Sequence, residues 1–231
     1  MSVPLPDQAP DATLVIPRRV GSAQRVRPIG GGLKRAFDIV FAGSALILLS
    51  PMILMVALLV RMSDRGPIFF SHQRVGYQYR PFGCIKFRTM VVDSQAVLAN
   101  YLANNPEAQR EWEVSRKLTH DPRVTPLGNI LRLTSLDELP QLWNILRGDM
   151  SIVGPRPVVQ DELRKYGVNA QFYAETRPGL TGAWQVSGRS DTQYETRVAL
   201  DRAYVETWSM RKDVVIILRT IPAVIFSRGA Y

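Results

Sequence analysis

The chain of 231 residues is long enough for one substantial domain with an appendage, and its 29 Lys and Arg residues outnumber 20 Asp and Glu residues. The net charge of +9 favours a polyanionic partner such as a nucleic acid, an anionic membrane surface or a phosphorylated substrate, although a solvated basic surface has the same signature. The single cysteine, Cys84, excludes an intramolecular disulfide, and the sequence has neither a CxxC nor an HExxH pattern that would indicate a zinc site.

The first 32 residues differ in composition from the rest of the chain. Residues 1–32 are rich in Pro, Gly and Arg and poor in aromatic side chains. This composition predicts a disordered basic tail. The tail has no early apolar run of the kind found in cleavable signal peptides.

Residues 39–60 form an apolar run without a charged side chain. A straight helix of this length would rise about 33 Å, enough to cross a hydrocarbon core of about 30 Å. Pro51 argues against a straight helix because it removes a hydrogen bond and crowds the preceding turn. The hydroxyl of Ser50 can bond to a carbonyl that the proline leaves free, so a bent helix is tolerable in lipid.

The charges beside this run bear on its topology, because basic flanks favour the cytoplasmic side of a membrane. Both flanks are basic, so a helix that enters, bends at Ser50-Pro51 and returns fits better than a single crossing. We therefore predict a re-entrant membrane helix over residues 33–62, with a spanning anchor and a buried core helix as the alternatives. The flanking basic residues are Arg18, Arg19, Arg25, Arg27, Lys34 and Arg35 before the run, and Arg61, Arg65 and Arg74 after it.

Residues 63–231 are predicted to form one domain of α+β class that is mostly helical. Its first part, residues 66–90, has the pattern of a β-hairpin with a turn near residues 79–81. Further along, the periodicity predicts helices over 91–118 with a break near 104–106, and over 136–147, 159–166 and 192–208.

The last apolar stretch is shorter than the first. Residues 213–227 are interrupted by Arg219 and Pro222, so they are too short for a confident membrane span. An amphipathic helix that lies at the membrane interface fits them better.

Adjacent carboxylates at Asp137 and Glu138 are the strongest candidates for chemistry. Ser135 and Glu138 have the spacing of a capping box, which would place both acids in the first turn of a helix. Such acids often only complement the helix dipole. With Arg132, Arg147 and Arg156 nearby in the sequence, they also suit a magnesium ion or an attack on phosphorus.

Several further groups could contact phosphate or a nucleotide. Lys86 and Arg88 end the predicted hairpin, and Arg156 is fixed between two prolines, although solvated strand-end cations and a rigid turn are the simpler interpretations. The loop over residues 177–191 combines glycines that permit close backbone approach with stacking and hydrogen-bonding groups. The candidates in this loop are Arg177, Gly179, Gly182, Trp184, Gln185, Gly188 and Arg189.

Three motifs, taken together, resemble those of a known protein family. They are KFRTM at 86–90, DPRVTPLGNILRLTSLDELPQLWNILRGDMSIVGPRP at 121–157 and RPGLTGAWQVSGRSD at 177–191. In this order they resemble the bacterial sugar transferases, the monotopic phosphoglycosyl transferases that begin polysaccharide assembly. Residues 33–231 are most similar to the short exopolysaccharide-initiating members of the ExoY type, without the multi-span extension of larger relatives.

The resemblance implies a reaction on the cytoplasmic face of the bacterial inner membrane. A hexose 1-phosphate, with galactose as the first expectation and glucose as the second, would pass from a UDP-sugar to undecaprenyl phosphate with release of UMP. Asp137 would be the nucleophile, and Glu138 would help to hold Mg²⁺ and assist the lipid phosphate. The family's re-entrant Ser-Pro helix falls on Ser50 and Pro51.

The resemblance also suggests roles for the cations. Arg147 and Arg156 are expected to contact phosphate, with Lys86 and Arg88 in support. Arg177, Gln185 and Arg189 are the candidates for the uridine end. Besides these substrates we expect anionic membrane lipids as partners, while self-association into a homo-oligomer stays open.

Two rival functions stay open at this point. One is a non-catalytic membrane scaffold of polysaccharide assembly, against which the intact acidic pair argues. The other is a basic nucleic-acid binder, which would explain the charge but not the apolar runs, and no helix-turn-helix or RNA-binding signature occurs. We therefore expect no nucleic-acid partner.

Overall fold

The structure is a computed structural model that describes residues 27–187 and 193–225. Its described part is mostly helical with two small sheets, which confirms the α+β class. The first half contains α1 (Gly31–Ser63), β1 (Phe69–Val75), β2 (Pro81–Phe87), α2 (Ser94–Asn104), α3 (Pro106–Ser115), α4 (Pro126–Leu133) and α5 (Gln141–Arg147). The second half contains β3 (Ser151–Val153), α6 (Gln160–Arg164), α7 (Ala170–Ala174), β4 (Gly179–Thr181), α8 (Tyr194–Glu206) and α9 (Met210–Ile225).

Most predicted elements are confirmed. The hairpin β1–β2 is antiparallel and pairs Phe69 with Phe87 and Val75 with Pro81. The expected break divides α2 from α3. Helices α1, α6, α8 and α9 overlap the ranges 33–62, 159–166, 192–208 and 213–227 that were predicted to be helical. Cys84 is a buried core residue of β2, as its apolar neighbours indicate. Residues 1–26 of the predicted tail lie outside the described residues.

A second sheet was not predicted. Strands β3 and β4 pair in parallel, with Ser151 opposite Gly179 and Val153 opposite Thr181. Glycines permit this pairing, because a Cβ atom added to Gly179 would lie 2.1 Å from the backbone nitrogen of Gly154. The pairing brings the segment around residues 151–157 against the loop that begins at residue 177.

Helix α1 passes through Pro51 without interruption. The proline cannot donate a hydrogen bond to the carbonyl of Ile47, four residues earlier. The Ser50 hydroxyl donates to this carbonyl instead, at 2.8 Å, which confirms the predicted compensation. Of the helices in the described residues, α1 alone is long and apolar enough to cross a membrane, judged by length and composition.

Both halves of α1 pack on the same folded body. Near its start, the Arg35 guanidinium donates to the carbonyls of Ile145 and Leu146, at 2.5 and 2.7 Å. Near its end, Val56 and Val60 are buried in a cluster with Phe87 and Leu131 on β2 and α4. The opposite face carries exposed apolar side chains, among them Val40, Ile47, Leu48, Leu54, Leu58 and Met62.

Candidate active site

The two candidate carboxylates lie on a 3-10 turn over Leu136–Glu138, not in the first turn of an α-helix. The predicted capping box at Ser135 is therefore wrong. Helix α5 begins only at Gln141, after Pro140, because a proline inside a helix would clash with the carbonyl of Leu136, four residues earlier. Ser135 has a φ of 57° and its side chain accepts no hydrogen bond from the described turn.

This left-handed conformation of Ser135 is uncommon for a residue with a side chain. Such backbone conformations carry a cost and tend to occur at functional sites. The turn places Asp137 in a buried position, while Glu138 is partly exposed. The neighbouring acids of the sequence therefore experience different surroundings.

Lys86, at the end of β2, contacts both carboxylates. Its Nζ donates to Oε1 of Glu138 at 2.5 Å and lies 3.8 Å from Oδ2 of Asp137. The buried amide of Asn144 on α5 fixes the backbone just before this lysine. It accepts from the Ile85 nitrogen at 3.0 Å and donates to the Gly83 carbonyl at 2.8 Å.

These surroundings shift the pKa values of the two carboxylates in opposite directions. Burial raises the pKa of Asp137, and the positive charges of Lys86 and Arg132 only partly oppose the rise. Burial would also raise the pKa of Glu138, but Lys86 and Arg156 outweigh it and lower this pKa below its usual value. Two acids whose environments separate their pKa values in this way suit different roles in a reaction.

Both acids line a cleft of about 940 Å³. Five cationic side chains share this lining, and they come from β1, α4, α8 and the connecting segments. Guanidinium and ammonium groups at such density suit the phosphate oxygens of a ligand. The five are Arg74, Lys117, Arg132, Arg156 and Arg197.

Trp184 supports two of these cations. Its buried ring lies 6.0 Å from the guanidinium carbon of Arg156 and 4.8 Å from that of Arg197. Guanidinium groups are attracted to the face of an indole ring. The tryptophan that we predicted as a stacking group for a ligand therefore contacts arginines at the cleft.

The structure brings together only part of the predicted site. Asp137, Glu138, Arg156 and Gln185 line the cleft, and Lys86 touches the acids from beside it. The buried Oε1 atom of Gln185 has no hydrogen-bond partner among the described residues.

Three predicted cations lie elsewhere among the described residues. Arg88 donates to the Asp64 carboxylate at 2.7 Å, and Arg177 donates to the Gly148 carbonyl at 2.7 Å. Arg147 is exposed beside Asp149. None of the three is in the lining of the cleft within the described ranges, and Arg189 falls outside those ranges.

The glycines of the 177–191 loop also have a different use from the predicted one. Gly179 and Gly182 do permit close backbone approach, but the partner is the backbone of Gly154. A Cβ atom on Gly182 would lie 2.3 Å from the Gly154 carbonyl oxygen. Gly188 lies outside the described residues.

Sequence reasoning missed Arg74, Lys117 and Arg197 as residues of the cleft and treated Arg132 only as a neighbour of the acids. Arg74 and Arg197 are far from the acidic pair along the chain and belong to no marked motif. They reach the cleft only because β1 and α8 pack beside it, a relation that one sequence does not reveal. The Arg132 side chain, which donates to the Thr89 hydroxyl at 2.9 Å, lies close enough to the pair for local reasoning to find it.

Asp137 and Glu138, which are adjacent in the chain, are the candidates to hold a metal ion at the cleft, and Glu162 is a third acid in the described lining. The described part of the chain has no group of three or more His, Cys, Asp or Glu side chains arranged for a metal. Two carboxylates still fit Mg²⁺, which commonly takes one or two protein carboxylates and completes its shell with water and substrate phosphates.

Comparison with known proteins decides the family. A family model described as bacterial sugar transferase matches residues 30–227. The chain belongs to the bacterial sugar transferase family. This match includes the acidic pair, every described cation of the cleft and the whole of α1 and α9.

Individual family members extend the comparison. The exopolysaccharide production protein ExoY of Sinorhizobium fredii is 55% identical over 216 residues, which cover 94% of each chain. An undecaprenyl-phosphate galactose phosphotransferase of Salmonella typhimurium is 50% identical over 200 residues, 86% of this chain and 42% of that protein. A UDP-glucose:undecaprenyl-phosphate glucose-1-phosphate transferase of Caulobacter vibrioides is 38% identical over 206 residues, 86% of this chain and 72% of that protein. This sugar transferase is thus similar to ExoY over nearly its full length.

Proposed function

We propose that the chain transfers a hexose 1-phosphate from a UDP-sugar to undecaprenyl phosphate, with release of UMP, as the first step in assembly of an exopolysaccharide repeat unit. The observation that carries the proposal is the acidic pair Asp137 and Glu138 in a cleft that also presents five cations. The cations suit a diphosphate, and the buried carboxylate of Asp137 suits attack on one of its phosphorus atoms.

The transfer proceeds by two displacements at one phosphorus atom. First, a carboxylate oxygen of Asp137 bonds to the β-phosphorus of the UDP-sugar. The bond from this phosphorus to the bridging oxygen breaks, and UMP leaves with that oxygen. Second, a phosphate oxygen of the lipid bonds to the same phosphorus, and the Asp137 carboxylate leaves. The product is a lipid diphosphate sugar, and the sequence of steps implies ping-pong kinetics.

Two cations beside Asp137 favour the form that reacts, whereas burial and the charge of Glu138 oppose it. Attack on phosphorus needs the ionised carboxylate, which burial opposes by raising the pKa of Asp137. Lys86 and Arg132 act in the other direction and favour ionisation. The lowered pKa of Glu138 keeps this second group an acceptor, suited to hold a cation or orient the lipid phosphate.

Magnesium fits the carboxylates of Asp137 and Glu138 as the cofactor. When bound, Mg²⁺ would neutralise the charge of the diphosphate and of the departing UMP. The arginines of the cleft hold the remaining phosphate oxygens and orient the donor for attack.

Helix α1 is best explained as a re-entrant helix. Arg35 and Val60, near its two ends, both contact the same folded body. A helix that crossed a hydrocarbon core of about 30 Å would separate its flanks by the membrane. Basic residues on both flanks favour the cytoplasmic side for each. The enzyme would then lie on the cytoplasmic face of the inner membrane, where anionic lipids attract its basic surface.

Galactose is the first choice for the sugar. The relative named for galactose is 50% identical to this chain, and the relative named for glucose is 38% identical. The protein from Sinorhizobium fredii, at 55%, is named for exopolysaccharide production. We therefore expect UDP-galactose as the donor, with UDP-glucose as the second candidate.

The proposal is tested by UMP release from detergent-purified protein with Mg²⁺ and a panel of UDP-sugars. Release that requires undecaprenyl phosphate and one particular sugar would support the transferase and identify its donor. Folded protein that releases no UMP from any donor, with or without the lipid, would contradict the proposal and favour a scaffold role.

A further inference from the structure

The cleft has two kinds of wall. The acids and cations come from the hairpin, α4, α8 and the segments between them, whereas α1 and α9 contribute mainly apolar side chains. The residues of this second wall are Phe41 on α1, and Ile217, Thr220, Ile221 and Ala223 on α9. Ile152 on β3 and Leu180 on β4 extend the apolar part of the lining.

The apolar wall is continuous with the outer surface of the same two helices. Ile221 lines the cleft and is also 54% exposed, and Phe41 lines it while 38% exposed. Val40 lies beside Phe41 in the sequence, and Leu218 lies one turn before Ile221; both are exposed. Phe41 and Ile221 are therefore the positions at which the apolar lining of the cleft reaches the outer surface, whereas Val40 and Leu218 are outside that lining.

Buried bonds hold this wall in place. Lys34 of α1 donates to the Asp213 carboxylate of α9 at 2.6 Å, and both side chains are almost fully buried. Asp213 also accepts from the Tyr204 hydroxyl at 2.7 Å. The hydroxyls of Thr181 and Thr220 share a hydrogen bond of 2.7 Å, which joins α9 to β4. These bonds fix the position of α9 relative to α1 and β4.

We propose that Phe41, Ile217 and Ile221 form the subsite for the first isoprenoid units of the polyprenyl phosphate. This inference rests on the proposed function. It goes further because it assigns the binding of the lipid chain to the apolar wall formed by α1 and α9. A ligand with an anionic head and an apolar chain matches a cleft with five cations among its charged residues and an apolar side open to the outer surface. A free phosphate has no apolar part that would contact this wall.

The test compares two glutamine substitutions on the same exposed face of α9. Ile221→Gln changes the wall, and the matched control Leu218→Gln changes a residue of similar exposure, 60%, that is outside the cleft lining. Two activities are measured in detergent micelles: exchange of labelled UMP into the UDP-sugar, which needs no lipid, and full transfer to undecaprenyl phosphate.

We expect Ile221→Gln to raise the KM for undecaprenyl phosphate by about tenfold, because a hydrated amide replaces an apolar contact. The KM for the UDP-sugar in the exchange should move by less than about twofold, since the nucleotide contacts the other wall. Leu218→Gln should resemble the unmodified protein in both activities. Equal effects of the two substitutions on the lipid KM, or no effect of either, would overturn the subsite.

A second pair of variants, on α1, tests the subsite independently in case the substitutions on α9 disturb folding. Phe41→Ser and Val40→Ser make the same comparison on α1, where only Phe41 lines the cleft. A larger rise in lipid KM for Phe41→Ser supports the subsite, and equal responses overturn it. If the unmodified protein does not exchange UMP into the UDP-sugar, the proposed function fails. If it does exchange UMP but the two members of each variant pair have equal effects on the lipid KM, only the lipid subsite fails.

Discussion

Asp137 and Asp201 are both buried aspartates with a raised pKa, but their surroundings differ. Asp137 lies in the cleft beside Lys86 and Arg132, whose charges oppose the effect of burial. Asp201, on α8, accepts a hydrogen bond from the Tyr166 hydroxyl at 2.9 Å. Burial raises the pKa of Asp201 to about 7, and this hydrogen bond opposes the rise only in part. Its Oδ1 atom has no hydrogen-bond partner among the described residues.

The contrast distinguishes the carboxylate that we propose as the nucleophile from a carboxylate with a structural environment. Burial alone makes a carboxyl group harder to ionise, and a group that stays protonated near neutral pH is a poor nucleophile. The cations beside Asp137 favour its ionisation, while the partner of Asp201 is a neutral phenol. Burial of an acid is therefore a weak sign of catalysis, and burial beside cations in a cleft is a stronger one.

The largest expected effect is that of Asp137→Asn. The amide keeps the shape of the side chain but cannot form the bond to phosphorus, so transfer should fall by at least about 10³-fold. Because burial disfavours the ionised acid, the neutral amide should leave the Tm at pH 7 equal to or above that of the unmodified protein. UMP release and a thermal melt measure the two effects. Substantial turnover, or a large loss of stability, would contradict the role of Asp137.

Lys86→Met should have the next largest effect. Removal of the ammonium group raises the pKa of Asp137 further, since Lys86 is the first of the charges that lower it. The acid limb of the rate profile should therefore move to higher pH, and the largest loss of activity should occur on the acid side of the profile. Lys86→Arg keeps the charge and serves as the control. An unmoved acid limb in Lys86→Met would show that this lysine does not set the ionisation of the nucleophile.

Asp201→Asn should change stability and its pH dependence but not the chemistry. The folded-state pKa of about 7 exceeds the ordinary value of 3.8, so the native state retains a proton that the unfolded chain releases between these values. Stability of the unmodified protein should therefore fall as pH rises from 3.8 to about 7, and Asp201→Asn should remove this part of the decline. Denaturant unfolding at several pH values measures it. A steep loss of transfer at unchanged stability would instead place Asp201 in the chemistry.

The smallest effect is expected for Arg147→Ala. This arginine is exposed beside Asp149 and is absent from the described lining of the cleft. Exposed ion pairs contribute about 0–1 kcal/mol to stability, so Tm and both KM values should stay close to those of the unmodified protein. Arg156→Ala, a change at the cleft, is the comparison and should raise the KM for the UDP-sugar. Equal losses in the two variants would restore Arg147 as a phosphate ligand.

The sequence was informative where the signal is local. The alternation on either side of residues 79–81 predicted the hairpin, and the uncharged run around Pro51 predicted an apolar helix with a serine that compensates the proline. The adjacent acids at 137 and 138 marked the site. Each of these features can be read from residues that are neighbours in the chain.

Most of what the sequence did not reveal involves partners that are distant in the chain. Strands β3 and β4 have three residues each, too few for periodicity to predict. Arg88 and Arg177 look like phosphate ligands until their partners Asp64 and Gly148 are known. Arg74 and Arg197 reach the cleft through packing alone. The capping box at Ser135 failed because Pro140 delays the helix, a conflict between two local signals.

The most direct test of the central claim is the intact mass of the protein after incubation with UDP-galactose and Mg²⁺ in the absence of lipid. The account predicts an added mass equal to one hexose phosphate, located on the peptide that contains Asp137 and lost when undecaprenyl phosphate is added. Asp137→Asn should show no added mass. Transfer activity without any covalent adduct, or an adduct that persists in Asp137→Asn, would contradict Asp137 as the nucleophile.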